Sequence, residues 1–394
     1  MKKDQTIGYW KYYSDSFEWN DVPFLKLEDQ QHTLQIFKDT GLNDREAIQL
    51  WDSGYVCIKG FDIVIDRYYG GALSSYDMVS RFMPSQINEL FEKPRSRAWV
   101  KSASSLDEVC RIVDDTQSRL SRPIKFRGQR QNYFVDRKIN NPNFTIDGLG
   151  EISILSSFWR KVLSNAKNTF PDFETLTLYE WSKIFYSAYD QEEIKRKHKL
   201  AIDNGERMYS MQDMADSEDP ILSEFGNHRL DLAMGMKFNL ADTLSTILQH
   251  YGLLSPAIDL TSSLDVALFF ATHKYTCSNG LSNYDFVGTN NGKSVLYLIR
   301  GNDQEMVTHE NDRVLDRIPP ERPQRQHCVI LRSSSFALNL PVFFLEGIIY
   351  LDFVIDESES PKKMKELFPN EEDDKFLEAL RKGMLYSDKV SYFG

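Results

Sequence analysis

The spacing of apolar positions along this chain predicts both helices and strands. Residues 102–120 and 240–251 repeat apolar side chains at three- and four-residue steps, which is the period of an amphipathic helix. Residues 257–261, 294–300 and 327–332 are short apolar or alternating segments, which predict strands. Because the helices and strands do not alternate strictly, the pattern favours an α+β fold over a doubly wound sheet.

Three further segments have weaker patterns. Residues 152–202 carry apolar side chains at helical spacing, whereas residues 204–228 are polar and predict a surface loop. Residues 278–293 are rich in Gly, Asn and Ser and predict a second loop. In residues 342–355 the odd positions are mostly apolar, which predicts one long strand or a hairpin bent at Gly347.

Short polar signals predict where two helices begin and end. Ser262 and Asp265 have the spacing of a capping box at the start of a buried helix. Gly252 lies where a left-handed residue would end the preceding helix. Gly128 follows the predicted strand 124–127, where a glycine permits a sharp turn.

Length and charge restrict the class of protein. The chain has 394 residues, for which two or three domains are expected. We divide it into an N-terminal accessory region (1–97), a central domain (98–355) and an acidic, partly helical C-terminal tail (356–394). The formal net charge of −11 excludes a protein that binds nucleic acid or anionic membranes over its whole surface, although it leaves room for a local basic groove.

The cysteines and the apolar segments predict a cytoplasmic protein. The four cysteines are scattered and form no pair at zinc-ligand spacing, so no metal is expected, and their small number fits a reducing compartment. No apolar segment follows the two N-terminal lysines, and none reaches the roughly 18 residues of a membrane span. We therefore expect no signal peptide and no membrane partner.

Arg127 is the first candidate for binding chemistry. A guanidinium at a strand end offers a planar, permanently charged fork that suits phosphate or carboxylate. Gly128 would let backbone N–H groups approach the same ligand, and Gln129 follows directly. The alternative is a structural ion pair with an acidic residue of this acidic protein.

A second group of polar residues lies at the predicted strand 257–261. Asp259 and Thr261 share one face of that strand, and Ser262 and Ser263 stand at the helix N-terminus, where free N–H groups favour anions. The alternative is that the serines only cap the helix. A buried Asp259 needs a partner, and Arg127 would satisfy it.

Four further residues have polar groups whose roles stay open. His250 lies near a helix end and is either a ligand contact or a satisfied core residue. Arg322 and Gln326 lie at a loop-to-strand junction, where surface positions are the alternative. Glu346 is the one carboxylate assigned to the last apolar strand, and its alternative is a solvent-facing position.

These motifs, taken in order, resemble the FRG domain family. The family pattern has an aromatic-Arg-Gly-Gln segment, here Phe126-Arg127-Gly128-Gln129. A block follows that here reads LQHYGLLSPAIDLTSSLDVALFFA (248–271), and then a late Arg and Gln, here Arg322 and Gln326. This chain departs from the pattern in Ser255-Pro256-Ala257, where the family has Thr-Arg-Leu. It also departs at Leu260 (for Trp), Cys328 (for Gly) and Ile330 (for Phe).

FRG domains are similar in motif order to ADP-ribosyltransferases, and the resemblance implies a split antiparallel sheet core with surrounding helices. It implies NAD as a substrate whose pyrophosphate Arg127 would bind. It implies catalytic roles for Arg127, Gln326 and Glu346. It implies cofactor binding by Arg127, Gly128, Gln129, His250, Tyr251, Asp259, Thr261, Ser262, Ser263 and Arg322.

Two classes of function remain open at this point. The first is an NAD-dependent ADP-ribosyltransferase-like enzyme, of the bacterial toxin or phage-defence effector kind, with a protein or nucleic-acid acceptor and an antitoxin or regulator as partners. The second is a non-catalytic module that binds a nucleotide, a nucleic acid or a protein. A metal-dependent nuclease is disfavoured because the sequence has no paired carboxylates at metal-ligand spacing.

Overall fold

The computed structural model describes residues 10–11, 30–57, 64–66, 96–141, 144–156, 184–237, 246–252, 257–278, 281–301, 306–308, 317–331, 339–382 and 391–392. The strands are β1 (Trp10–Lys11), β2 (Tyr55–Cys57), β3 (Val64–Asp66), β4 (Trp99–Ala103), β5 (Ile124–Gln129), β6 (Thr145–Ile146), β7 (Gly150–Glu151), β8 (Ile258–Thr261), β9 (His273–Ser278), β10 (Leu281–Phe286), β11 (Val295–Arg300), β12 (Met306–Thr308), β13 (Cys328–Leu331), β14 (Leu345–Leu351) and β15 (Ser391–Tyr392).

The helices are α1 (Gln30–Asp39), α2 (Asp44–Asp52), α3 (Leu106–Gln117), α4 (Gln191–Asp203), α5 (Met211–Ala215), α6 (Pro220–Lys237), α7 (Leu264–Thr272), α8 (Glu321–Arg325), α9 (Leu340–Phe343), α10 (Met364–Leu367) and α11 (Lys375–Lys382), with a 3₁₀ turn at Glu357–Glu359. Helices and strands are thus mixed without strict alternation, which confirms the predicted α+β class.

Seven strands form the central sheet, in the order β12-β13-β8-β5-β11-β14-β4. Strand β11 pairs with β5 and β14 over most of its length, and all neighbours are antiparallel except β14 and β4. In contrast, β5 and β8 meet in a single residue pair, Phe126 with Thr261. The sheet therefore opens between β5 and β8 beyond that pair.

The two faces of this sheet are covered differently. On one face, helices α3 and α7 pack against apolar side chains of β5, β11 and β14, among them Phe126, Leu296 and Ile349. On the other face, residues 144–155 and Val342 cover a second cluster that includes Tyr297. Both faces of the central strands are consequently buried, which explains why β11 reads as an almost continuous apolar run.

A separate helical cluster joins distant parts of the chain. Side chains of α4, α5 and α6 pack with residues 247–251 and with Phe376 and Leu380 of α11. Gly226 of α6 permits this packing, because a Cβ at that position would lie 2.3 Å from the backbone nitrogen of Ala215 in α5. The C-terminal segment is thus partly core, while the predicted boundaries at 97 and 355 stay predictions.

The described part of the N-terminal region docks on residues 137–151. The side chains of Arg137 and Glu151 form a fully buried ion pair of 2.7 Å, and Arg137 also donates to the carbonyl of Ser53. Asn141 Nδ2 donates to Tyr55 Oη at 3.0 Å. These bonds connect the small core of α1, α2 and β2 to the central domain.

Several local predictions are confirmed. A helix forms within 102–120 as α3, strands form as β8, β11 and β13, and residues 246–249 are helical before a turn. Gly252 adopts a φ of +106°, as predicted for the left-handed end of that helix. The predicted start of that helix lies outside the described residues.

Four local predictions are wrong. Residues 204–228 form α5 and part of α6 instead of a loop, because Leu222 and Phe225 pack into the helical cluster. Residues 152–156 form no helix, and the backbone N–H of Ile154 donates to Asn339 Oδ1 at 2.7 Å. Residues 281–286 form β10, which pairs with β9. The strand predicted from 342 begins at Leu345, after α9, which has a proline in its first turn.

Among the described residues, no helix is long and apolar enough to cross a membrane.

Candidate functional site

Arg127 lies on β5 where the sheet opens toward β8. Its side chain is partly exposed, and its Nη1 donates to the backbone carbonyl of Asp259 at 2.6 Å. Its Nε is buried and has no hydrogen-bond partner in the described part of the chain. The guanidinium thus bridges the opening through a main-chain atom and does not form the predicted ion pair with the Asp259 carboxylate.

The surroundings of Arg127 are aromatic and partly shielded from water. Burial lowers the pKa of Arg127, and the charge of Asp259 and the phenols of Tyr297 and Tyr284 oppose that effect. Burial also raises the pKa values of Tyr284 and Tyr297, so both phenols stay neutral. An arginine remains protonated even after such a shift, so the opening holds a permanent positive charge.

Gly128 has a packing role that the sequence did not reveal. It lies inside β5, so the predicted turn after Arg127 is wrong. A Cβ at Gly128 would lie 1.7 Å from the carbonyl oxygen of Ala267 and 2.8 Å from the backbone nitrogen of Ala271, both in α7. The absence of a side chain at Gly128 therefore lets β5 and α7 approach closely.

Gln129 lies two residues after Arg127, on the same face of β5, and it is buried. Its Oε1 accepts no hydrogen bond from any described residue. Beside it, Tyr297 Oη donates to Asn132 Oδ1, and Asn132 Nδ2 donates to Tyr350 Oη. Sequence reasoning missed Asn132 and both tyrosines, because only the pairing of β5, β11 and β14 brings them to one face.

His250, Gln326 and Thr261 form a buried network. His250 Nδ1 lies 2.8 Å from Gln326 Oε1, and Gln326 Nε2 donates to the carbonyl of Leu367 at 3.1 Å. Thr261 Oγ1 donates to the carbonyl of Gln326 at 2.8 Å and accepts from the backbone N–H of Ser263 at 3.0 Å. Gln326 and Thr261 are therefore bonded to other parts of the chain, while their predicted catalytic and ligand-binding roles stay predictions.

Arg322 and Tyr251 belong to a second buried network, so the surface position considered for Arg322 is wrong. Tyr251 Oη donates to Asp374 Oδ2 at 2.8 Å, and the Arg322 guanidinium lies 4.9 Å from the Tyr251 ring. Arg322 also donates to the carbonyl of His250 at 3.3 Å and is fully buried. Burial lowers the pKa of Arg322 and raises that of Asp374. Both side chains are bonded to other parts of the chain, and their predicted contacts with a cofactor stay predictions.

Ser262 and Ser263 have different roles. Ser263 caps α7 by accepting from the backbone N–H of Val266 at 3.4 Å, so the predicted cap at Ser262 is wrong by one residue. Ser262 continues the strand, because its backbone N–H donates to the carbonyl of His327 at 3.0 Å. The Ser262 side chain is exposed and lies 3.5 Å from that carbonyl, so its hydroxyl is available to a ligand.

Glu346 is far from these residues. It lies at the start of β14, where its Oε2 is 3.7 Å from Arg300 Nε. Strand β11 separates β14 from β5, and strand spacing puts the two backbones ~10 Å apart. The structure therefore does not bring Glu346 together with Gln326, which lies on the β8 side of β5.

His250, Asp259 and Cys328 converge from three separate segments. Each offers one ligand atom, and the three atoms lie within 4.8 Å of one another. Burial raises the pKa of the Cys328 thiol, and the Asp259 charge adds to this effect. No metal was expected because the sequence has no metal-ligating residues at suitable spacing along the chain. Such spacing cannot reveal residues that come together only in the folded protein.

The sequence model of the FRG domain matches residues 191–279, which confirms the resemblance to that family. The match contains the block 248–271 but neither the Arg127 segment nor Arg322 and Gln326. No curated protein and no solved structure matches the chain.

Proposed function

We propose that this FRG-domain protein binds NAD or a related nucleotide in the opening between β5 and β8, where Arg127 binds the pyrophosphate. This proposal rests on the hydrogen bonds that the Arg127 guanidinium makes and leaves unused. Only Nη1 is used, on the Asp259 carbonyl, and Nε is buried without a partner among the described residues. A guanidinium has five N–H donors, so a phosphate can take two parallel hydrogen bonds from those that remain.

The sheet and its side chains support an anionic, aromatic ligand at this place. Strands β5 and β8 are antiparallel and share one residue pair, which is compatible with the split sheet of ADP-ribosyltransferases. Tyr133 lies close enough to Arg127 to raise the pKa of its guanidinium, and it is 43% exposed. An exposed phenol ring offers a base or a nicotinamide ring a surface for stacking.

Calorimetric titration with NAD tests the binding proposal. Arg127→Gln keeps a polar side chain but removes the charge, and we expect NAD affinity to fall about 10- to 150-fold, as for a lost hydrogen bond to a charged group. Arg127→Lys keeps the charge without the fork and should retain only part of the affinity. The matched control is Arg111→Gln on α3, whose side chain is 70% exposed. Equal affinities of Arg127→Gln and Arg111→Gln would overturn the proposal.

ADP-ribosyl transfer is the second candidate function. The observation that favours it is Ser262, whose exposed hydroxyl lies at the end of β8, next to the strand that carries Arg127. This hydroxyl would contact the nicotinamide ribose, and the acceptor would be a protein or nucleic acid. Gln326 and Glu346 do not support the reaction, because Gln326 is bonded internally and Glu346 lies on another strand. Binding is therefore the better supported function.

Nicotinamide release separates the two candidates. Release from NAD that is lost in both Arg127→Gln and Ser262→Ala would establish an NAD-consuming enzyme, and would make a toxin or defence effector with its own antitoxin or regulator the class to examine. ADP-ribose attached to a protein or nucleic acid, as opposed to free ADP-ribose, would then distinguish transfer from hydrolysis. Saturable NAD binding without nicotinamide over hours would leave a binding module. Absence of both binding and release would exclude NAD as the ligand.

A further inference from the structure

The cluster of His250, Asp259 and Cys328 has the composition of a transition-metal site. The segment 246–252 supplies His250, β8 supplies Asp259 and β13 supplies Cys328. Strands β8 and β13 pair antiparallel, with Ile330 opposite Asp259 and Cys328 opposite Thr261. Asp259 and Cys328 are thus diagonal neighbours on one face. His250 Nε2 lies 3.9 Å from Asp259 Oδ1, too far for a hydrogen bond.

The histidine is held in the tautomer that a metal requires. Gln326 Nε2 donates to the Leu367 carbonyl, which fixes the orientation of the amide and leaves Oε1 facing His250 Nδ1. An amide oxygen accepts only, so His250 carries its proton on Nδ1 and presents the Nε2 lone pair toward Asp259. Metal-binding histidines almost always donate their other ring N–H to an oxygen in this way.

The carboxylate is oriented as well. The backbone carbonyl of Asp259 accepts from Arg127, and its Oδ2 accepts from Gln249 Nε2. Oδ1, the atom nearest His250, is buried and has no hydrogen-bond partner among the residues that the structure describes. A buried carboxylate oxygen without a partner is costly, and a cation would remove that cost.

Cys328 supplies the sulfur ligand of the cluster. It is a free cysteine and is 7% exposed. One imidazole nitrogen, one thiolate and one carboxylate oxygen are a donor set that suits zinc, whereas magnesium and calcium prefer oxygen ligands alone. The thiolate and the carboxylate together balance the charge of a divalent ion.

We propose that His250 Nε2, Asp259 Oδ1 and Cys328 Sγ bind one Zn²⁺ ion with a fourth position open to water or ligand. Zinc–ligand distances of about 2.0–2.3 Å in tetrahedral geometry separate neighbouring ligand atoms by roughly 3.3–3.7 Å. The 3.9 Å between His250 Nε2 and Asp259 Oδ1 and the span of up to 4.8 Å across the three atoms exceed this range, so the side chains would have to rotate toward the ion on binding. The site goes beyond the proposed nucleotide binding and does not depend on it.

Titration of chelator-treated full-length protein with Co²⁺ and Zn²⁺ tests the site. Cobalt should give the visible bands of a tetrahedral complex together with a thiolate-to-cobalt charge-transfer band, and one equivalent of Zn²⁺ should displace it. In Cys328→Ser the charge-transfer band should disappear and zinc affinity should fall at least ~10-fold, because a ligand is lost. Cys110→Ser, which alters the exposed cysteine on α3, is the control and should titrate like the unaltered protein.

Three results would overturn the zinc site. They are the absence of a charge-transfer band in the unaltered protein, a band that survives in Cys328→Ser, or a band that Cys110→Ser removes. Thermal unfolding of the unaltered protein gives a second readout that needs no variant, since zinc bound to the folded state raises its stability and an unchanged transition would count against the site. All of these measurements are made without nucleotide, so their outcome is independent of the NAD titration.

Discussion

Replacing Gly128 by alanine tests how the two halves of the FRG pattern pack together. The new Cβ would lie 1.7 Å from the carbonyl oxygen of Ala267, whereas ordinary contact begins near 3.4 Å. Helix α7 would have to move away from β5 by more than 1 Å. Because α7 carries Ala267, Leu268 and Ala271 in the core, that movement would loosen the packing of a whole face of the sheet.

The expected cost can be estimated from overpacked cores. An added methyl group typically costs about 1–3 kcal/mol where side chains can rearrange. Here the obstacle is backbone on both sides, so we expect Gly128→Ala to lower the free energy of unfolding by at least ~3 kcal/mol, at the upper end of that range. For the same reason, Gly128→Ala combined with Ala267→Gly should show no recovery, since trimming the Ala267 side chain leaves its carbonyl in place.

Urea unfolding followed by circular dichroism measures this cost. Gly205→Ala is the matched control, because Gly205 has a φ of +88° and open space around it. Its cost is that of a left-handed backbone alone, about 1–2 kcal/mol. A Gly128→Ala variant no less stable than Gly205→Ala, or a rescue by Ala267→Gly, would refute the close contact between β5 and α7.

Three further predictions concern buried charges. Burial lowers the pKa of His273 below its usual 6.5, so the folded state favours the neutral ring. The free energy of unfolding should therefore fall as pH drops below 6.5, by at most ~1.4 kcal/mol per pH unit, and His273→Phe should flatten that pH dependence in urea titrations. Arg322 Nε lies 4.0 Å from Asp374 Oδ2, and both side chains are fully buried. Arg322→Met should therefore cost ~3–5 kcal/mol by leaving Asp374 buried without its cation. Arg322→Met with Asp374→Leu should regain most of that loss, and a double variant as unstable as the single one would contradict the pairing. Arg137→Met should cost a similar ~3–5 kcal/mol and make residues 30–57 more sensitive to limited proteolysis, whereas unchanged cleavage would contradict the docking.

The pattern of apolar residues predicted the elements with strong periodicity and failed where packing replaces it. Strand β8 and helix α7 follow from alternation and from a continuous apolar block. Helix α6 was not predicted because its polar residues and Gly226 are typical of a loop. The glycine is explained only by the close contact of α6 with α5. Strand β10 was not predicted because its composition is typical of a loop. It forms a strand because it hydrogen-bonds to its partner β9.

For the candidate site, the sequence proposed a set of residues but did not predict which way their side chains face. Tyr251 and Gln326 stand at positions of the FRG pattern, yet both are buried and bonded to other parts of the chain. Orientation depends on distant partners such as Asp374 and Leu367, which lie in the segment predicted to be a tail. Spacing along the chain holds no information on such contacts. The convergence of His250 with Cys328 was hidden for the same reason.

Whether a side chain is buried and bonded within the chain decides whether its variant can report on function. An inactive Arg322 or Tyr251 variant would be ambiguous, because an unpaired buried charge or hydroxyl costs ~1–5 kcal/mol in a protein whose whole stability is expected to be about 5–15 kcal/mol. Arg127 differs from them. Its side chain is partly exposed, and its one hydrogen bond to a described residue goes to a main-chain carbonyl. A loss of NAD affinity in Arg127→Gln with an unchanged unfolding transition would therefore report on the ligand and not on the fold.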